Sequence, residues 1–254
     1  ADTEASTQIV AVELSISDTL ALLQDVPAAF TSQINDVLLT ALVMAFEKWT
    51  GDPYLRLALE GHGREDVIEN VDISRTMGWF TTIYPVLLDA REQSTIQDKV
   101  QAVKSQLRAI PNNGFDYGVL RYLNKNENSA ALSEIPEPQV AFNYLGQFSQ
   151  LANDPRFQLS KFQSTAERDP MNRRVHQIFI SGKVAQDKLQ MSFFYSENLY
   201  KPDTISLLAQ HYISSLQEII KMAKNPVNVD AEHNENTVQQ DENLDDVLAE
   251  LDLE

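Results

Sequence analysis

The stretch from Glu60 to Asp66 reads EGHGRED and places a carboxylate, an imidazole and a guanidinium within five positions. It follows Tyr54–Leu59 (YLRLAL), a run of strand character that ends at two glycines flanking His62. Glycines let a chain turn sharply and let a ligand approach its backbone. Functional side chains concentrate on such loops, held by a rigid scaffold. A general base must be a carboxylate, imidazole or amine within hydrogen-bond reach of the proton it takes. Glu60, at the end of a strand, meets the first part of that requirement. The same residues allow a plainer reading, in which Glu60 pairs with Arg64 four positions on and fixes the turn.

His62 and Asp66 share the H-x-x-x-D spacing that some acyltransferases use. Those sites usually carry a glycine after the aspartate, where this chain has Val67. A histidine between two glycines serves more often as a loop spacer. The four histidines, His62, His176, His211 and His233, show no H-x-x-x-H metal spacing. Arg75 stands before the tight turn and two aromatics of TMGWF, with Trp79 and Phe80 readable as core packing. Asn143 and Tyr144 offer an amide and a phenol, which strand alternation sends to opposite faces. There is no G-x-S-x-G elbow, no G-x-G-x-x-G fingerprint and no phosphate loop.

The elements that must hold these groups are legible as patterns. Ile9–Leu14 reads as a strand. Ser17 and Asp18 cap a helical turn that Pro27 breaks. Ser32–Trp49 is a helix, apolar on most sides, stopped by Gly51-Asp52-Pro53. Trp79–Leu88 reads as a strand. Pro85 cannot donate to a ladder, so the strand belongs at a sheet edge. Thr95–Ala109 is an amphipathic helix with Asp98 placed for a capping box. Asn112–Gly118 is a turn, Tyr117–Leu123 a short helix, Asn124–Ser129 a polar loop and Val140–Leu145 a strand. Phe157–Phe162 alternates as a strand does, and Val175–Val184 pairs with Lys188–Tyr195 as a hairpin. A last helix runs from Pro202 to about Lys224. Mixed helices and strands with a late hairpin predict an α/β sandwich with a mixed sheet.

Composition narrows the function. The 254 residues suit one large domain or two small ones, and 43% are hydrophobic, enough for a core. With no cysteine, disulfides, thiolate metal sites and a Cys nucleophile are excluded. A net charge of −17 opposes nucleic acid and anionic membranes. No apolar run reaches the length of a membrane span. The start, ADTEASTQ, lacks Met and a basic n-region, reads as no signal peptide, and looks like a cut in something longer. A cytoplasmic location is expected. Ten of the 37 acids and none of the 20 bases fall in Asp230–Glu254. The chain divides into a body at 1–224, a polar linker at 225–243 and an acidic tail at 244–254. In that tail Leu244, Val247, Leu248 and Leu251 share one helical face. It is too short to hold a helix without a partner.

Five stretches then stand in order: INDVLLTAL (Ile34–Leu42), EGHGRED (Glu60–Asp66), RTMGWFTTIYPVLLD (Arg75–Asp89), PNNGFDYGVL (Pro111–Leu120) and FNYLGQF (Phe142–Phe148). Together they resemble the epimerization domains of nonribosomal peptide synthetases, within the condensation-domain superfamily. The resemblance covers Ile9 to about Lys224. It implies a chloramphenicol-acetyltransferase-like fold of two lobes, with this chain the C-terminal lobe and the HHxxxDG lobe outside it. It also implies an isomerase that converts an L-aminoacyl or peptidyl thioester to the D form by Cα proton removal and return. The substrate rides on the 4'-phosphopantetheine arm of an upstream carrier protein, and no cofactor is bound directly. On this resemblance Glu60 is the acid/base residue. His62, Arg64, Arg75, Trp79, Tyr117, Asn143 and Tyr144 lie around the substrate tunnel, with Arg64 supporting Glu60. The acidic tail resembles a docking segment for a downstream part of the synthetase. Asp116 and Ser149 depart from the family's usual glycine and aspartate. A condensation-domain lobe and a non-catalytic carrier-binding scaffold remain the alternatives.

Overall fold

The computed structural model describes residues 2–65, 67, 69–123, 127–147 and 168–225. Strand alternation decides its layers. In β2 (Tyr54–Gly61), Leu55, Leu57 and Leu59 are buried while Tyr54 and Arg56 are exposed. The same parity recurs in β3 (Thr82–Asp89), β4 (Val140–Gln147), β5 (Ile178–Ala185) and β6 (Lys188–Ser196). It sends Val86, Leu88, Val140, Phe142, Ile178, Ile180, Leu189, Met191 and Phe193 into one core. With β1 (Thr7–Glu13) they form a six-stranded mixed sheet, ordered β1-β6-β5-β4-β2-β3. The central strands β2, β4 and β5 are parallel, and the flanking pairs are antiparallel. β3 is an edge strand, as Pro85 requires.

Among the described residues, the four long helices cover one face of the sheet. They are α1 (Ile16–Phe30), α2 (Ile34–Thr50), α3 (Ile96–Arg108) and α6 (Pro202–Lys224), and α2 packs on β2, α3 on β3 and α6 on β1 and β6. α2 is buried without a break from Asp36 to Phe46, so it lies at the centre of the helix layer. The opposite face leaves Ile9, Ile83 and Leu87 about half exposed, at 57%, 49% and 54%.

Several local expectations need correction. Pro27 does not end α1. Ser15, rather than Ser17 or Asp18, caps it by accepting from the Asp18 N–H at 3.1 Å. Pro27 sits near the helix end, where only one ladder bond is forfeited, and buried Val26 and Phe30 hold the last turn on the core. β3 starts at Thr82 rather than Trp79. Gly63 abuts the Phe80 carbonyl so closely that a Cβ there would lie 1.7 Å from its oxygen, and ladder pairing stops at Gly61 opposite Thr82. The polar stretch Asn124–Ser129 overlaps a helix, α5 (Glu127–Glu134), in which Ala130, Ala131 and Leu132 are good helix formers. Phe115–Gly118 forms a short helical turn, α4. The hairpin begins at Ile178 rather than Val175. It turns through Gln186 and Asp187, both at positive φ, as a two-residue connection demands. The proposed strand Phe157–Phe162 lies outside the described residues.

Candidate active site

Glu60 is the penultimate residue of β2, so alternation turns it away from Leu59 and toward the open face. Beside it, β4 runs parallel with Leu59 opposite Phe142. Asn143, one residue further along, therefore reaches the same face. Its Nδ2 donates a short hydrogen bond to Glu60 Oε2, joining groups 83 residues apart in sequence. Burial pushes the Glu60 carboxyl above its ordinary value of 4.5, while the charges of His176 and then Arg168 pull it partly back. A carboxyl raised in this way is a better proton acceptor near neutral pH than an exposed one.

Two cavities meet at Glu60. One, of about 680 Å³, spreads over the open sheet face and is lined by Ile9, Ile83, Arg168, His176, Phe179 and Phe194, among others. The second, of about 570 Å³, opens at the sheet end below the α2 N-terminus. Gln33, Asn35, Asp36, Arg108 and Asn113 give it amide and charged walls, with His62, Trp79, Asn143 and Tyr144 also on its lining.

The loop after β2 is tied down by its own polar groups. Arg64 does not pair with Glu60, on either of the readings its spacing allowed. Its guanidinium donates to the Ile73 carbonyl at 2.6 Å and the Thr76 carbonyl at 2.9 Å, and lies 4.4 Å above the Phe80 ring. It binds the loop to the segment before β3, because unpaired carbonyls there need a donor and a forked cation supplies two. His62 is exposed. Its Nδ1 accepts from the Arg64 N–H at 3.0 Å and its Nε2 lies 3.5 Å from Glu65. It is a loop element on the rim of the second cavity. Asp66, its partner in the H-x-x-x-D spacing, is outside the described residues.

Glu65 was not singled out by spacing, yet it joins His62 to Asn113, whose Nδ2 donates to it at 2.9 Å. Asn112, Asn113 and Gly114 all have positive φ, and a Cβ on Gly114 would strike the Tyr84 ring at 2.2 Å. The PNNG turn thus packs edge-on against β3 and delivers Asn113 to the cavity. Trp79 is 89% exposed, so it is not core packing. Arg75 is exposed and Tyr117 accepts a hydrogen bond from Arg121; neither lines either cavity. Tyr144 points to the helix layer, where its hydroxyl is buried near Tyr212 and burial raises its pKa. Leu244, Val247, Leu248 and Leu251 are outside the described residues.

An open mixed sheet with helices on one face, and a half-buried carboxylate where two cavities meet, define the lobe architecture of the condensation-domain fold. The family profile described as "Condensation domain" matches residues 1–243, and this chain belongs to that family. It is 43% identical over 224 residues to one of the linear gramicidin synthase proteins of Brevibacillus parabrevis, covering 87% of this chain and 3% of that protein. It is 38% identical to bacitracin synthase 2 of Bacillus licheniformis, covering 86% of this chain and 8% of that protein. The chain therefore spans a small part of the curated relatives it matches. Among solved structures, the epimerization domain from the third module of tyrocidine synthetase B superposes with a TM-score of 0.80 at 33% identity. That match covers 87% of this chain and 49% of that domain. A condensation domain from the Monacolin K polyketide synthase shares the fold, at a TM-score of 0.61 and 17% identity. No single helix among the described residues is long and apolar enough to cross a membrane.

Proposed function

We propose that this chain supplies one half of an epimerase active site in a nonribosomal peptide synthetase, with Glu60 as its acid/base residue. The observation that carries the reading is the Glu60 carboxyl itself: half-buried, raised by burial, oriented by Asn143 and open to two cavities. On this reading the Glu60 carboxylate takes the Cα proton of a carrier-bound aminoacyl or peptidyl thioester. A group on the opposite face, a histidine of an HHxxxDG lobe, returns a proton. Glu60, then protonated, serves the reverse direction. Charge that develops on the thioester carbonyl needs nearby donors.

On this reading the second cavity would receive the phosphopantetheine arm. Gln33, Asn35 and Asn113 can pair with its amide groups. The arm supplies the thioester; this chain binds, orients and moves the proton. The acidic tail would dock on a downstream synthetase protein, on a basic groove or hairpin. The 33% identity to a solved epimerization domain supports epimerization. The family name supports the second reading, peptide-bond formation.

The test is deuterium wash-in at Cα of an L-aminoacyl carrier protein, using a polypeptide that joins this chain to an HHxxxDG lobe. Glu60→Gln should slow exchange by about 10²–10⁴-fold. An unchanged rate overturns the assignment. A dipeptide in place of a D-aminoacyl thioester, when an acceptor is added, selects the second reading.

A further inference from the structure

The two cavities that meet at Glu60 differ in chemistry. The second has amide and charged walls, and the reading above gives it the phosphopantetheine arm. A thioester that enters there and stops at Glu60 leaves its acyl group beyond the carboxyl, in the cavity over the open sheet face. Ile83 lines that cavity and stands opposite Glu60 on the β2–β3 ladder, half exposed. Farther along, Ile9, Phe194 and Phe179 face one another across β1, β6 and β5 in a single row. The Phe179 and Phe194 rings tilt together with centroids 5.7 Å apart. Val175, just before β5, adds a further exposed apolar side chain.

The arginines on the lining are taken up by other partners. Arg168 is bound to Glu4 at 2.9 Å. The buried Arg174 lies 3.6 Å from Asp2 and 3.8 Å from Glu4, and its Nη1 donates to Thr7 at 2.5 Å. His176 places Nδ1 2.8 Å from the Pro138 carbonyl oxygen, which can only accept. Beside Glu60, the described lining therefore presents a ligand mainly with isoleucine, valine and phenylalanine surface. A polar side chain set against that surface sheds water without compensation, whereas an apolar one gains by leaving water.

We propose that this cavity is the acyl site and that it selects a peptidyl chain with large apolar residues. Ile83 takes the side chain of the residue whose Cα faces Glu60, and the Phe179–Phe194 row takes an apolar residue further up the chain. Phe179 stands two strands and two residues from the level of Glu60, about 12 Å away. A single aminoacyl group beside Ile83 does not span that distance. A peptide extended at about 3.4 Å per residue does so within three or four residues. The cavity, about 680 Å³, lies within the range of roughly 300–1,000 Å³ that buries ligands of drug size. Which carbon reacts rests on the epimerase reading above; the apolar preference is a property of binding, so the two are tested apart.

The experiment is calorimetric binding of tetrapeptidyl pantetheine amides, in which nitrogen replaces the thioester sulfur, to the two-lobed polypeptide. Leucine is exchanged for the similarly shaped asparagine either at the residue next to the pantetheine or at the N-terminal residue. Wild type should favour leucine by about tenfold or more at each position. Ile83→Ser should cut the preference next to the pantetheine by about tenfold and leave the N-terminal one, and Phe179→Ser should do the reverse. Ile83, half exposed on an edge strand, keeps the test decisive should Phe179→Ser not fold. Equal binding of leucine and asparagine probes by wild type, no binding at all, or an equal loss for every probe in the variants overturns the proposal. Binding is read without turnover. A polypeptide that shows these preferences but no Cα exchange counts against the epimerase reading alone.

Discussion

The two faces of the sheet are built from alternate residues of the same strands, yet they obey different rules. On the helix face, Leu57 and Ile180 are fully buried, and each neighbour excludes water from the next. On the open face of the same strands stand Glu60, Asn143, Phe179 and Leu87. Leu59 and Glu60 are adjacent in sequence, as are Phe142 and Asn143. One of each pair stabilises the fold and the other builds the site. The difference teaches that the period of two in a strand lets a single segment serve both ends without compromise. It also means that the carboxylate is mounted on rigid β structure, while the loop after it carries only supporting contacts.

Three measurements would break or sharpen that contrast. The largest effect belongs to the helix face. Leu57→Ala removes a side chain with 0% exposure and should cost about 2–5 kcal/mol in denaturant unfolding. A loss within about 0.5 kcal/mol, the range of surface changes, would mean that the face is not the core.

A smaller effect, with a sign set by pH, belongs to Glu60. Its pKa in the folded chain lies above the ordinary 4.5. Stability from this group is therefore full below the unfolded value and is lost as pH rises through the folded value. Glu60→Gln has no charge to bury. Its stability relative to wild type should rise from pH 4 toward neutral. A flat or falling difference would show that the carboxylate is not held in a costly environment.

The smallest effect belongs to the open face away from the site. Leu87→Ser, 54% exposed on the edge strand, should change the stability of this chain by no more than about 0.5 kcal/mol. A larger loss would show the open face to be covered.

The local order of the chain was legible in its sequence because its causes are local. Alternation in YLRLAL, the helical spacing from Ile34 to Phe46, Thr95 with Asp98 at the start of α3 and Pro85 on an edge each follow from one segment's own residues. The glycines of EGHG were legible as a tight turn for the same reason, and Gly63 bears this out against the Phe80 carbonyl. Errors fell where packing outweighed a local signal. Pro27 stays inside α1 because Val26 and Phe30 anchor the turn beyond it. Trp79 and Phe80 fall outside β3 because the loop crossing at Gly63 ends the ladder.

What only the tertiary structure decided is which groups meet. Arg64 stands four residues from Glu60, the spacing of an ion pair on a helix, but on an irregular loop it turns to the carbonyls of Ile73 and Thr76. Asn143 finds Glu60 across 83 residues because β4 pairs in parallel with β2. Asn113 finds Glu65 from a separate turn on the second cavity, and His176, two residues before β5, lines the first. Strand order and register are set by burial summed over the whole sheet, which no window of sequence contains. The sequence determined that Glu60 ends a strand before a glycine turn. The fold determined that the carboxyl is half-buried and held by an amide, because desolvation exists only once the strands are paired.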